Sequence, residues 1–356
     1  VLVAMSGGVD SSVAAALLFE EGHEVTGVTL KLWGGASDSG CCSVADVDDA
    51  RRVAAQLGIQ HLVFNFGDDF LAHVVEPYVD AHVAGLTPNP CIECNRHLKF
   101  DRLVRRADAL GFDAVATGHH ARVVVAPSGA RRIARGADAA KDQSYVLYML
   151  GPDVLDRILL PVGTITKAAV RAHAARLGLR TAAKPDSQDV CFIVATGGGR
   201  RAFLGDRIPL RPGRLVDLDG AEVGTVDAVE LVTVGQRKGL GLAGEDEPRY
   251  ALAVDAEAGV VTVGVADDLL ADAVVLGDLV GLGDLADLTD RPPLLAQASA
   301  HGLPRPVLVE QAAGESERSS TIRLRWTDGP QRRVAPGQSV VLYEGDTVVG
   351  GGIVTG

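Results

Sequence analysis

Ser6-Gly7-Gly8-Val9-Asp10-Ser11-Ser12 lies between an apolar, strand-like run and an apolar-faced helical run, and no other feature constrains the fold as strongly. Two glycines at such a junction let the backbone approach a ligand closely. The freed amides, the serine hydroxyls and the helix dipole all favour an anion there, so the expected occupant is phosphate. No Gly-Lys-Ser/Thr triplet occurs in the chain, which excludes a Walker-type γ-phosphate transferase in its usual form. Residues 239–244 match G-x-G-x-x-G formally. They sit between Arg237-Lys238 and an acidic, proline-containing stretch with no helix pattern after it, so no dinucleotide site is expected there.

Strands and helices alternate around that loop. The periodicity predicts strands at Val1–Met5, His23–Leu32, His61–Phe66 and Ala114–Thr117, and helices at Ser12–Glu21, Val44–Leu57 and Asn95–Leu110, the last three closed by glycines. Such alternation implies a doubly wound parallel sheet, which binds ligands at the carboxyl ends of its strands. After Thr196-Gly197-Gly198-Gly199 the pattern changes to short alternating runs such as Leu215–Leu218, Val229–Val234, Ala251–Val254 and Val260–Val265. This predicts two small, mainly β domains, with Arg291-Pro292-Pro293 as a linker and the last domain a β-barrel. The expected boundaries are 1–199, 200–283 and 284–356.

The 356 residues are 47% hydrophobic and 22% charged, a balance that excludes a wholly disordered or collagen-like chain. No apolar run reaches the roughly 18 residues that would span a bilayer, and the opening Val-Leu-Val-Ala has no basic region before it, so a soluble cytoplasmic protein is expected. A net charge of −12 excludes the simplest globally basic nucleic-acid binder. Local basic patches remain at Arg96, Lys99, Arg102, Arg105 and Arg106, and at Arg200, Arg201, Arg207, Arg211 and Arg214.

Five cysteines point to thiol chemistry or metal binding and not to a disulfide scaffold. Cys94, beside Arg96 and Lys99 at an expected helix start, has the setting of a lowered thiol pKa, as a nucleophile or sulfur carrier needs. Other readings of the same residues are a structural zinc held by Cys91, Cys94, Cys41 and Cys42, or cysteines that are buried and inert.

Seven motifs occur in a fixed order. They are Met5–Ser12; Thr87-Pro88-Asn89-Pro90 with Cys94-Asn95 and Lys99-Phe100; Thr117-Gly118-His119-His120-Ala121-Arg122; Lys141-Asp142-Gln143-Ser144-Tyr145; Pro185-Asp186-Ser187 with Cys191-Phe192-Ile193; Gly235–Leu240; and Pro336-Gly337-Gln338-Ser339. In this order they resemble the bacterial tRNA-specific 2-thiouridylase family, within the ATP pyrophosphatase (PP-loop) superfamily, over nearly the whole chain.

The resemblance implies an ATP- and Mg²⁺-dependent sulfurtransferase acting on the wobble uridine of tRNAs for Lys, Glu and Gln. ATP adenylates the 2-carbonyl oxygen, a cysteine persulfide attacks, and AMP and pyrophosphate leave. Cys191 matches the persulfide cysteine, and Cys94 matches the partner thiol that forms a transient disulfide with it. Ala4, Met5, Ser6, Gly7, Gly8, Val9, Asp10, Ser11, Leu30 and Gly118 match ATP-contacting positions. Asn89, Pro90 and Cys91 match the stretch beside the target base, and His119, Lys141, Asp142, Gln143 and Gln338 match tRNA contacts. A sulfur-donor protein, a monomeric state and no membrane partner are expected. The chain departs from the family at Cys91, where an aspartate is common, and at Ser299-Ala300-His301, where a basic-aromatic tract is expected. An iron–sulfur-dependent thiolase through Cys91, Cys94 and Cys191, and an argininosuccinate synthetase-like ligase, are the alternatives.

Overall fold

Short β-branched runs buried on both faces pair most simply as parallel strands covered by helices. The computed structural model describes residues 1–32, 44–126, 129–186, 190–194, 197–242, 247–282, 293–311 and 321–355. They divide into two compact units, the first made of Val1–Val75, Pro90–Gly199 and Asp346–Val348, the second of Glu76–Asn89, Arg200–Gly345 and Val349–Gly356. The expected linker at Arg291-Pro292 and the Cys41-Cys42 pair lie outside the described residues.

The first unit carries a five-stranded sheet. Its strands are β1 (Leu2–Ala4), β2 (Thr26–Lys31), β3 (Gln60–Asn65), β4 (Val115–Ala116) and, after the antiparallel hairpin β5 (Ala121–Val125) and β6 (Arg131–Arg135), β7 (Ile158–Leu159). Their order is β3-β2-β1-β4-β7, every pairing parallel. The order reverses at β1, whose carboxyl end is therefore the switch point where a doubly wound sheet places its ligand.

Helix α1 (Val9–Glu20) leaves that end and α2 (Val44–Leu57) follows β2. α1 is apolar nearly all round because it is buried nearly all round: Val13, Ala14, Ala15 and Ala16 are fully buried, and the small alanines let it pack closely against Val3, Ala50, Val53 and Val170. Parallel sheet, covering helices and connections follow the sequence expectation.

The second unit is mainly β. Strands β8 (Gly213–Val216), β9 (Glu222–Val226), β10 (Tyr250–Asp255) and β11 (Val260–Gly264) form one sheet in the order β10-β11-β8-β9 around Leu215, Val229, Ala251, Val261 and Val263. β12 (Leu270–Ala271) pairs with β17 (Gln331–Arg332). β13 (Ala273–Val280), β16 (Ile322–Trp326), β15 (Arg305–Gln311), β14 (Leu294–Gln297), β18 (Ser339–Glu344) and β19 (Thr347–Val354) follow one another as neighbours, and β13 pairs again with β19. That closes a six-stranded barrel and removes the sheet edges. Its core is Leu276, Val307, Ile322, Leu324, Val340 and Leu342.

One expected strand is different. Val229–Leu231 forms a single 3-10 turn where the sequence pattern predicts Val229–Val234 as a strand. The turn serves Glu230, whose side chain is 2% exposed and accepts from the Arg211 amide at 3.0 Å and the Arg211 Nε at 2.8 Å. The Glu230 carbonyl meets His82 Nδ1 at 3.2 Å.

Burial, reinforced by Arg200, drives the His82 pKa down to about 4, and its Nε2 has no hydrogen-bond partner among the described residues. The folded state therefore holds a neutral imidazole that the unfolded chain would protonate below about pH 6.5. Stability from this group is complete above that pH and declines as pH falls toward 4, amounting to about 2 kcal/mol lost between pH 7.5 and 5. Urea unfolding of the wild type should show this loss, and His82→Gln should lack most of it. Equal losses in the two proteins would contradict the assignment.

Candidate active site

β1 ends at Ala4, and Met5 leads the chain into the glycine loop. Gly7 has φ +73°, and a Cβ there would strike the backbone of Asp46 at the start of α2, so only glycine fits. Gly8 caps α1 without a side-chain bond, leaving the amides of Val9, Asp10 and Ser11 with no carbonyl inside the helix to bind. The serines shape the loop from within. Ser12 Oγ donates to the Gly8 carbonyl at 2.7 Å, and Ser11 Oγ accepts from the Ser6 amide at 3.1 Å. Two of the hydroxyls expected to face a phosphate are thus engaged in fixing the backbone whose amides would face it.

The other residues expected around ATP gather at the same place. Leu30 is buried in β2, and Thr29 beside it donates to the Met5 carbonyl at 2.8 Å. Gly118 follows β4 and lies so close to the start of α1 that a Cβ would stand 2.5 Å from the Ser11 amide nitrogen.

A cluster of charged residues encloses the loop. Lys167, 8% exposed, opens a helix capped by Thr166 and sends its ammonium to both Asp10 oxygens at 2.7 and 2.6 Å and to Asp186 at 2.9 Å. His120 Nε2 also reaches Asp10, at 2.9 Å. Burial acts to raise the Asp10 pKa, but the hydrogen bonds from His120 and Lys167 outweigh it and the net shift is downward. Asp186 also receives Lys141 at 2.8 Å and Arg171 at 2.8 Å. Burial again opposes ionisation, and the Lys141 and Lys167 bonds carry its pKa down to about 2. Lys184 closes the opposite side, bonding the Gly7 carbonyl at 3.0 Å, Asp46 at 2.6 Å and Asp49 at 2.8 Å.

Lys167, Lys184 and Asp186 were not among the candidate site residues read from the sequence. Asp186 was visible as part of the Pro185-Asp186-Ser187 motif, but Lys167 and Lys184 carry no local signal.

The thiol-bearing segments are both in the first unit. Cys91, Cys94 and Cys191 are thiols, respectively exposed, buried and half-buried. Pro90 opens the helical run, as proline at a first helical position does, so Cys91 lies in its first turn and Cys94 one turn in, where the run continues as a π-helix over Cys94–Arg102. This corrects the expected placement of Cys94 at a helix start. Glu93, next to Cys94, lies 3.8 Å from Arg96 and 3.3 Å from His97.

Cys191 begins the single turn Cys191–Val194, and Phe192 beside it is buried edge-on against Phe70, ring centroids 5.6 Å apart. Asp69, the residue before Phe70, pairs with Arg102 of the Cys94 helix at 3.1 Å. The Gly67–Phe70 turn therefore grips both thiol segments. Ser187, Gln188 and Asp189 lie outside the described residues, as do Cys41 and Cys42 of the zinc reading. Among the described residues no three His, Cys, Asp or Glu side chains converge as a metal-binding set.

The residues expected to meet tRNA make internal contacts. His119 is buried, 2.8 Å from Thr117 Oγ1, and burial holds its pKa well below the ordinary value, with Lys99 and His120 adding to the shift. Asp142 is a hub whose carboxylate, 6% exposed, accepts from Arg135 at 3.0 Å, the Gly136 amide at 2.9 Å and Ser144 Oγ at 2.7 Å. Gln143 accepts from the His120 amide at 2.9 Å. In the second unit Gln338 donates to the Thr87 carbonyl and the Thr87 amide donates to Pro336 at 2.8 Å, which brings two distant motifs together beside Asn89. Pro90 is buried. In the basic patch after Cys94, Arg105 pairs with Asp101 at 2.7 Å and Arg106 lies 5.3 Å over the Phe64 ring.

Three family descriptions match the chain in order: a tRNA methyl transferase HUP domain over residues 1–195, a tRNA methyl transferase PRC-barrel domain over 201–265, and an aminomethyltransferase β-barrel domain over 311–354. The chain is 46% identical over 374 residues to the tRNA-specific 2-thiouridylase of Roseiflexus castenholzii, covering 99% of this chain and 98% of that one. It is also 46% identical over 368 residues to the tRNA-specific 2-thiouridylase of Mycobacteroides abscessus, covering 100% and 99%. Among solved structures it is similar to the U34-tRNA thiolase NcsA from Methanococcus maripaludis with its 4Fe–4S cluster, at 19% identity and a TM-score of 0.36 over 53% of this chain and 60% of that one, a likeness too weak to inform the site. With a parallel-sheet domain, a PRC-barrel domain and a closing β-barrel matched in order, and near-half identity end to end, the chain belongs to the tRNA-specific 2-thiouridylase family.

Proposed function

We propose that this enzyme replaces the 2-oxygen of the wobble uridine in tRNAs for Lys, Glu and Gln with sulfur at the expense of ATP. The observation that carries the reading is the presence, in one unit, of an amide-lined loop at the switch point of the sheet and of two thiol segments held by a common turn. Family membership supports tRNA as the substrate class.

The loop amides and α1 hold the ATP phosphates, with Ala4, Met5, Ser6, Leu30 and Gly118 around the nucleotide. Asp10, the carboxylate at the loop, would hold an Mg²⁺ ion that accompanies the phosphates. Bound there, the ion would neutralise charge on the leaving pyrophosphate. The target uridine leaves its stack and lies beside Asn89, Pro90 and Cys91. Its 2-oxygen attacks the α-phosphorus, forming the adenylate and releasing pyrophosphate.

The terminal sulfur of a Cys191 persulfide then attacks C2 and AMP leaves. A persulfide suits this step because it is a better nucleophile near neutral pH than an ordinary thiol. Cys94 attacks the Cys191 sulfur, the S–S bond to the base-bound sulfur breaks, and that sulfur remains as the thiocarbonyl. The resulting Cys94–Cys191 disulfide takes two electrons from an external reductant before the next cycle. A separate sulfur-donor protein reloads Cys191, and the enzyme acts as a monomer in the cytoplasm.

Residues 1–199 form the catalytic domain, and 200–283 and 284–356 form two tRNA-contacting domains. Lys141, Gln143 and Gln338 belong to surfaces that meet the tRNA, and the buried His119 and Asp142 act by ordering the turns that present their neighbours. Incubation with ATP and substrate tRNA should yield AMP and pyrophosphate, and tRNA lacking the wobble uridine should not support the reaction. ADP and orthophosphate as products would overturn the reading.

A further inference from the structure

The reaction set out above uses Cys94 and Cys191 and leaves the third described thiol, Cys91, without chemistry. Cys91-Ile92-Glu93-Cys94 opens one continuous helical run, Pro90–Glu93 followed directly by Cys94–Arg102. Helical geometry sets Cα atoms three residues apart at about 5 Å, inside the range that a disulfide spans, so these two sulfurs can be joined without moving another element. Their exposures are opposite: Cys91 is exposed, and Cys94 is 8% exposed. A Cys-x-x-Cys pair with an accessible outer sulfur and a buried inner one, set in a parallel-sheet unit, has the arrangement of a dithiol redox pair.

The burial of Cys94 creates a use for such a pair. The Cys94–Cys191 disulfide expected at the end of each sulfur transfer has one sulfur in a buried helical position and the other in the half-buried Cys191–Val194 turn. Thiol–disulfide exchange needs an accessible sulfur and a thiolate to attack it. An external dithiol reaches Cys94 poorly, and by attacking Cys191 it would occupy the sulfur that must be reloaded. Cys91 already stands one helical turn from Cys94, and being exposed it ionises without the burial penalty that raises a thiol pKa.

We propose that Cys91 is a third catalytic thiol, which attacks Cys94 in the Cys94–Cys191 disulfide and carries the oxidation out to the surface. This rests on the reading of Cys191 as the sulfur carrier and of Cys94 as the thiol that resolves it. The Cys91 thiolate forms a bond to Cys94 Sγ, the bond between Cys94 and Cys191 breaks, and Cys191 leaves as a thiolate that can be reloaded. No electrons enter or leave in this exchange, and the proton given up by Cys91 is made good at Cys191. A dithiol reductant then attacks the exposed Cys91 sulfur and Cys94 leaves. The second thiol of the reductant displaces Cys91, so that two electrons and two protons pass to the pair and the reductant departs as its own disulfide.

The test maps disulfides in the full-length protein through one turnover. Wild-type enzyme carrying persulfide on Cys191 is mixed with ATP, Mg²⁺ and substrate tRNA without added reductant. Samples taken over time are quenched in acid, alkylated with N-ethylmaleimide under denaturing conditions and read by peptide mass spectrometry. The Cys94–Cys191 linkage should appear together with thiolated tRNA and then give way to Cys91–Cys94, with Cys191 recovered as the alkylated thiol. Cys91→Ser should stop at Cys94–Cys191. Cys191→Ser, which cannot enter the cycle, should still form Cys91–Cys94 in an oxidising glutathione buffer, because the pair needs no other element.

Thiolated tRNA accompanied by a persisting Cys94–Cys191 disulfide, with Cys91 alkylated throughout, would overturn the relay and leave the persulfide reading intact. So would a Cys191→Ser protein that forms no Cys91–Cys94 disulfide. Thiolated tRNA with no disulfide to Cys94 at any time would overturn the two-thiol reading itself, and the relay with it.

Discussion

Cys191→Ser is expected to lose all tRNA thiolation, a fall of at least about 10³-fold, because removal of a nucleophile leaves only binding and electrostatic contributions to the rate. It should also carry no persulfide after incubation with a sulfur donor. Cys94→Ser should load persulfide on Cys191 normally and then fail to turn over, since nothing resolves the bond between Cys191 and the base-bound sulfur. The two thiols differ in exposure. Cys191 is half-buried at the start of a single helical turn, as loading by a donor would need, while Cys94 is buried within a helix that contacts the Gly67–Phe70 turn.

Cys91→Ser should retain partial activity, because Cys91 is exposed in the first helical turn. Intact-protein mass spectrometry for the 32-Da persulfide increment, alongside nucleoside analysis of the tRNA, separates these cases. If Cys91→Ser were as inactive as Cys191→Ser and also lost bound iron, a three-cysteine cluster would replace the persulfide relay.

Asp10→Ala is the second large effect. Pyrophosphate release in the presence of tRNA should fall by about 10²- to 10³-fold, the scale of losing one preorganised electrostatic contact at a reacting centre. The same change removes two of the three Lys167 bonds and the His120 contact, so the variant should also be less stable, though by less than the about 3 kcal/mol of a fully unpaired buried cation, because Lys167 keeps Asp186. Asp10→Asn separates the two consequences. The amide keeps an acceptor for the neighbours but not the charge, so activity should stay low while most of the stability returns. Wild-type rates of pyrophosphate release in Asp10→Ala would show that the loop does not position the reacting phosphates.

The parts legible in the sequence were those governed by local physics. β1, the glycine loop and α1 announce themselves because a strand period, two glycines and a helical apolar face follow one another within twenty residues. The change to all-β texture after Gly199 was equally plain, since short alternating runs and turn residues need no tertiary information. The charged cluster was not legible. Asp10 and Lys167 are 157 residues apart, Lys184 and Gly7 are 177 apart, and nothing in periodicity marks such pairs. Lys167 in particular looks like the first residue of an ordinary surface helix, yet is 8% exposed.

The expected strand Val229–Val234 fails for the same reason: Val229, Val232, Thr233 and Val234 are β-branched and suggest a strand, while a buried Glu230–Arg211 contact imposes a turn over Val229–Leu231. The helical start at Pro90 could have been found, because proline favours the first helical position, and it would have placed Cys94 one turn further along. No helix among the described residues is long and apolar enough to cross a membrane.

The most direct measurement is the nucleoside composition of tRNA after incubation with the wild-type enzyme, ATP, Mg²⁺ and a persulfide source, read by liquid chromatography and mass spectrometry. The account predicts 2-thiouridine at the wobble position of tRNAs for Lys, Glu and Gln, with one AMP formed for each sulfur incorporated and none without ATP. Unmodified uridine in those tRNAs, under conditions where Cys191 is shown to carry persulfide and the loop to bind ATP, would contradict it.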